Sequence, residues 1–277
     1  VPAMTVAENL VLRRYRYLWA FGGLLLVAVT LVFGKDTAGR GARLWLGVGT
    51  YNFQPSELLK ILLVVYLASY LAENQEILAA GSYRLGPFRL PPLPHLAPLG
   101  IMWGISILLL VVQHDLGAAM LFFGIYLGML YMASGQMGYV LAGLLPFAGG
   151  VWIALKTFAY VAARVAVWED PWSQAAGRGY QIVQALIALA AGGLAGVGLG
   201  YGYPDYIPAV HTDYVLAAIG EEMGMAGLLA VIALYMVLVG RGFTIALRAR
   251  DPFSQLLAAG LSTMLALQTL IIMAGSF

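Results

Sequence analysis

The chain has 277 residues, of which 61% are hydrophobic and 10% charged, and its mean hydropathy is +0.85. Soluble domains run about 45–50% apolar and about 25% charged, so a soluble enzyme and a disordered chain are both disfavoured. A formal net charge of +2 leaves no basic tract for nucleic acid, and the absence of cysteine excludes disulfides, thiolate metal sites and cysteine nucleophiles.

A transmembrane helix needs about 20 mostly apolar residues. Seven stretches qualify, roughly 15–33, 55–72, 97–113, 116–133, 139–156, 214–239 and 254–275. The stretch 181–193 is apolar but short, and it runs into the glycine-rich LAGVGLG. It reads as a half-helix or re-entrant segment, which lipid tolerates only where protein or water covers the backbone. A complete eighth span is the alternative. The expected fold is therefore all-α, a polytopic helical membrane protein forming a single integral domain over 1–277. The chain opens on Val without a signal-peptide pattern and reads as a fragment.

Arg13, Arg14 and Arg16 precede the first span, and a loop at 240–252 carries Arg241, Arg248 and Arg250 against Asp251. The positive-inside rule places both in the cytoplasm. Seven spans with a non-crossing 181–193 satisfy both placements; a full crossing there separates them. The outer side then receives 34–54, the turn near 113–115 and the long stretch 157–213. The cytoplasm receives the Pro-rich 73–96 and the turn at 134–138. No internal repeat is visible, which weakens a transporter built from inverted halves.

Charges at spans are costly and are functional candidates by default. Glu57 and Lys60, in QPSELLK, are spaced to share a helix face and pair, as a site or as a structural lock. Pro55 suits a first helical turn and Ser56 a nearby cap. Asp115, in QHDLG, sits where a helix begins, as a cap or as part of a polar cavity. Asp213, in HTDYV, opens the sixth span at the outer side, as a cap or as a general base where aqueous substrate meets the membrane. His211 beside it is a proton carrier or a plain loop residue. Glu221 and Glu222 follow, about 12–14 Å along the helix from Asp213. They point about 100° apart, so at least one faces protein, with Lys60 a candidate partner. Arg43 and Trp45 occupy the outer 34–54 loop, as diphosphate contacts or as an interfacial belt. No phosphate loop, zinc-spaced histidines or nucleophile elbow is present.

Taken together, the segments resemble the SEDS family of peptidoglycan glycosyltransferases, which includes RodA and FtsW. GARLWLGVGTYNFQPSELLK is similar to the family's GARRW…FQPSE…K segment, and QHDLGAAML to its QPDLG motif. GYQIVQALIALAAGGLAGVGLG resembles its GYQ…QS…SGG…G.GLG stretch, and IPAVHTDYVLAAIGEEMG its LPEAHTDFIF…EELG block. His114 stands where the family has proline, and Val210 where it has glutamate. The family has ten spans. The resemblance implies that the seven here match spans three to nine, that two spans belong before residue 1, and that a PFVSYGGSS segment belongs after the last helix. The stretch 157–213 matches the large fourth extracellular loop.

The resemblance implies a further set of expectations. The activity is polymerisation of lipid II into β-1,4 glycan strands with release of undecaprenyl diphosphate, at the outer face of the bacterial inner membrane. The essential carboxylate is Asp213. Substrate contacts fall on Arg43, Trp45, Glu57, Lys60, Asp115, His211, Glu221 and Glu222. The leaving diphosphate needs positive charge from Arg43, Lys60 or a divalent cation, Mg or Mn. Partners are the lipid substrate, the nascent glycan and a class B penicillin-binding protein. A RodA-like role in elongation and cell shape is favoured over an FtsW-like septal one. A lipid II flippase is the alternative from another class.

Overall fold

The computed structural model describes residues 11–35, 44–48, 51–80, 83–85, 88–90, 93–208, 210–211 and 213–276. Their elements run α1 (Arg16–Phe33), β1 (Leu46–Val48), β2 (Tyr51–Phe53), α2 (Pro55–Ala80), β3 (Tyr83–Leu85), β4 (Phe88–Leu90), α3 (Leu93–Val112) and α4 (Leu116–Ser134). Then follow α5 (Met137–Thr157), α6 (Ala159–Glu169), α7 (Tyr180–Gly192), α8 (Val215–Arg248) and α9 (Pro252–Ser276), with 3₁₀ turns at Trp172–Gln174 and Pro204–Tyr206. The all-α reading holds. Two antiparallel hairpins, β1–β2 and β3–β4, occupy stretches read from sequence as loops. Strands of three residues are too short to leave an alternating pattern.

Among the described residues, α1, α2, α4, α5, α8 and α9 are long and apolar enough to cross a bilayer. The expected span at 97–113 lies on α3, whose apolar part, Ala97–Val112, is shorter. Helix α7 has 13 residues. That is about 20 Å of helix against a hydrocarbon core of about 30 Å, so α7 by itself is too short to reach across it. The stretch 157–213 is more ordered than a loop, since it carries α6 and α7.

The chain divides into two compact units, Val1–Gly143 with Val239–Leu267, and Leu144–Leu238 with Gln268–Phe277. In the first, α2 is the buried centre, with Leu59, Val64, Tyr66, Leu67 and Ala68 fully enclosed. Helix α1 packs on α2, α2 on α4, and α3 on α4. Lipid supplies no hydrophobic force between helices, so close approach of backbones matters. Gly23 of α1 allows it: a Cβ there meets the Leu59 side chain at 2.8 Å. The Gln113 side chain donates to the Val27 carbonyl at 2.9 Å and to the Thr30 hydroxyl, tying the end of α3 to α1. Arg16 pairs with Glu73 at 2.6 Å and donates to Ser69 of α2. Arg13 lies 3.6 Å from Asp251 and its guanidinium stands over the Phe253 ring. In the second unit, Ala185 and Ala188 of α7 pack with Ile207, Val210, Tyr214 and Ala217.

Two expected helix ends are corrected. The sixth span does not stop at 239. Helix α8 runs on to Arg248 and shrinks the basic loop at 240–252 to a link between Arg248 and Pro252. Arginine stems cover apolar surface while their heads reach water, and cations are favoured at a helix C-terminus, so basic residues do not mark the helix end here. Pro55 does open α2, but Ser56 is no cap: its hydroxyl is buried without a hydrogen-bond partner among the described residues, inside the first turn.

Candidate active site at the broken helix α8

The site is built on a break in a helix. At Gly224 the backbone of α8 leaves helical geometry, with φ 67 and ψ −166. In an unbroken helix the amides of Met225 and Ala226 donate to the carbonyls of Glu221 and Glu222. Here both bonds are opened and the segment after α7 serves each side. Val197 and Gly198 donate to the Glu221 and Glu222 carbonyls, both at 3.0 Å. Met225 and Ala226 donate to the carbonyls of Gly193 and Leu194, at 2.9 and 3.2 Å. Unpaired backbone groups cost several kcal/mol in lipid, so this exchange is what makes the break tolerable.

The glycines follow from that docking. A Cβ on Gly196 collides with the Glu222 carbonyl and the Gly224 amide, and one on Gly224 with Gly196 and Leu194 backbone. Both residues also carry positive φ, 82 and 67, where side chains are strained. The run LAGVGLG is therefore a backbone clamp on α8. Its signal in sequence was the glycine density itself; what the glycines approached was not readable.

The break positions two carboxylates differently. Glu221 is buried, and one of its oxygens accepts the Tyr203 amide at 3.1 Å. Its other oxygen is buried without a hydrogen-bond partner among the described residues. Glu222, half-buried, faces a groove of about 380 Å³ together with His211, Pro204, Val215 and Ala218. Asp213 is exposed and lies in the chain between two groove residues, His211 and Val215. Of the residues singled out from sequence, the groove brings together His211 and Glu222; Asp213 adjoins it in the chain, and Glu221 is buried and not among its lining residues. The carboxylate accepts protons, and the groove is open and largely apolar, which suits a neutral polar ligand with apolar faces.

The remaining candidates lie in the first unit. Lys60 is 4% exposed and pairs with Glu57, 54% exposed, at 2.6 Å. The expected i, i+3 pair is present. The hydrogen bond found for Glu221 is to Tyr203, not to Lys60. Asp115 is the N-cap of α4, accepting the Ala118 amide at 3.1 Å. Trp45 is half-buried and its carbonyl accepts the Lys35 amide. Arg43 lies outside the described residues. His114, in place of the family's proline, has φ 61, a conformation closed to proline.

The family described as cell cycle protein, FtsW/RodA/SpoVE, matches residues 2–276. The chain belongs to the FtsW/RodA/SpoVE family. The peptidoglycan glycosyltransferase RodA of Mycobacterium tuberculosis is 40% identical over 95% of this chain. The probable peptidoglycan glycosyltransferase FtsW of a Geobacter species is 35% identical over 91%. The chain spans 56% of the first relative and 66% of the second, so it matches little more than half of the RodA length. A solved peptidoglycan synthase complex that coordinates polymerization and crosslinking shares the fold, with TM-score 0.74 at 24% identity over 99% of this chain and 73% of that one. Membership in the FtsW/RodA/SpoVE family and the apolar helices together make this a multi-pass membrane protein.

Proposed function

We propose that this chain carries the catalytic part of a peptidoglycan glycosyltransferase that polymerises lipid II into β-1,4 glycan strands. The observation that carries the reading is that Asp213 is exposed and is flanked in the chain by His211 and Val215, which line the groove with Glu222. Asp213 accepts the proton of the acceptor sugar's 4-hydroxyl. That oxygen forms a bond to the donor's anomeric carbon as the bond from that carbon to the diphosphate breaks. The configuration inverts from α to β and undecaprenyl diphosphate leaves. One base suffices for a single displacement.

The leaving diphosphate needs positive charge. Lys60 and Arg43 are the candidates that the sequence offers for it. Mg²⁺ or Mn²⁺ travelling with a diphosphate needs only one or two protein carboxylates. The described residues hold no cluster of three metal-ligating side chains, so such an ion would be held mainly by the substrate. It would neutralise charge on the leaving group.

The proposed placement is the inner membrane with the site facing outward, and the basic residues support that orientation. Arg13 and Asp251 are in contact, so Arg13 and the link before α9 share one side of unit one. An even number of crossings must separate them. Helices α1, α2, α4, α5 and α8 make five, and α3 makes six. That supports a crossing α3 and a non-crossing α7. With the basic residues in the cytoplasm, Asp213 faces out. A class B penicillin-binding protein is the proposed partner, crosslinking the strands made here. The higher identity to RodA than to FtsW favours elongation and cell shape. The reading is tested by reconstituting the full-length protein in vesicles free of other polymerases and supplying lipid II. Glycan polymer supports it. Transbilayer movement of lipid II without polymer assigns a flippase instead.

A further inference from the structure

We propose that Tyr201, Tyr203 and Tyr206 form a platform that holds the uncharged sugar rings of a glycan strand, continuous with the groove beside Asp213. The three side chains are 78%, 67% and 62% exposed. They lie in the segment whose Leu199 and Pro204 line the groove. An exposed aromatic cluster on a turn beside a groove is a candidate binding surface.

The chemistry of the segment selects that ligand. From Gly179 to Gly240 the sequence has no lysine or arginine, and Asp205 is the single charged residue in 194–206. Phosphate and diphosphate need cationic donors, and this segment supplies none for the anionic end of a lipid-linked sugar. Tyrosine offers an apolar ring with a polar tip, which matches a pyranose: C–H groups on its faces, hydroxyls at its rim. The Tyr203 and Tyr206 ring centres are 5.8 Å apart and tilted by 32°, close to the rise of one hexose along a β-1,4 strand.

The platform is also held in place. The Tyr203 amide donates to the Glu221 carboxylate at 3.1 Å. Its neighbour Gly202 lies so near that a Cβ there meets the carboxyl carbon at 3.1 Å. Glu221 is thus a positioning residue that fixes the tyrosines relative to the first turns of α8. This inference rests on the polymerase reading, and names the acceptor or product side of that site.

The test uses the full-length protein in nanodiscs, titrated with a β-1,4-linked N-acetylglucosamine tetrasaccharide. Wild type is expected to bind it. Tyr203→Ala/Tyr206→Ala is expected to bind about tenfold more weakly, given the size of aromatic contacts. Tyr203→Phe/Tyr206→Phe keeps the rings, retains most of the binding and controls for folding. With lipid II as substrate, the Ala variant should yield shorter strands. Equal tetrasaccharide affinity in wild type and the Ala variant, or no binding by wild type, overturns the platform. An Ala variant that fails to insert into nanodiscs yet binds the tetrasaccharide in detergent as wild type does also overturns it and makes the tyrosines membrane anchors. The polymerase reading fails separately, if wild type binds the tetrasaccharide but makes no polymer from lipid II.

Discussion

The Val197 amide donates to the Glu221 carbonyl at 3.0 Å, taking the place of the helical bond that Met225 would otherwise make. Three companion bonds complete the exchange, and together they hold the broken α8 against the segment after α7. The carboxylates at 221 and 222 are therefore placed by a loop, not by a helix alone.

Gly196 is the residue on which that exchange depends most. Gly196→Ala puts a Cβ into the Glu222 carbonyl at a backbone φ of 82. Strain of this kind costs about 1–3 kcal/mol. A lower thermal midpoint is expected, with faster hydrogen exchange at the amides of Val197, Gly198, Met225 and Ala226. Unchanged exchange at those four would show that the loop is not needed to close the break.

The proposed topology rests on the contact between Arg13 and Asp251, and the lack of cysteine makes it simple to check. Arg14 and Arg250 are both exposed, as is Tyr201. Arg14→Cys and Arg250→Cys should label with a membrane-impermeant thiol reagent from the same, cytoplasmic side. Tyr201→Cys should label only from the other. Labelling of positions 14 and 250 from opposite sides would require α7 to cross or α3 not to.

At the α3–α4 turn, His114 has φ 61 and its amide donates to the Val111 carbonyl at 3.0 Å. Proline can reach neither condition, since its ring fixes φ near −65° and removes the donor. His114→Pro is expected to destabilise the turn by about 1–3 kcal/mol, and His114→Gly to leave stability unchanged or raise it. Thermal melts of the two variants decide this; a Pro variant as stable as wild type would mean that the turn rearranges freely to the family's QPDLG form.

The long helices were legible because a bilayer imposes a length on every apolar segment, and α7 stood out because it falls short of it. The Glu57–Lys60 pair and the Asp115 cap were legible for a similar reason, since both depend on spacing along one chain segment. The break at Gly224 was not. It depends on backbone groups about 30 positions apart in sequence, Gly193 and Met225 among them, which leave no periodic trace. The extension of α8 to Arg248 was missed because charge was read as loop, whereas long basic side chains are compatible with helix at a membrane surface. Ser56 was misread because its residue type favours caps, while the helix start was already set by Pro55.

Asp213 carries the account. General-base catalysis contributes typically about 10²–10⁴ in rate. The decisive measurement is the initial rate of lipid II polymerisation by the full-length protein and its Asp213→Asn and Asp213→Ala variants, in the same vesicles and at matched folded content. A loss of at least about a hundredfold in both variants is required. Polymer formed at the wild-type rate by either would contradict the proposed role of this carboxylate.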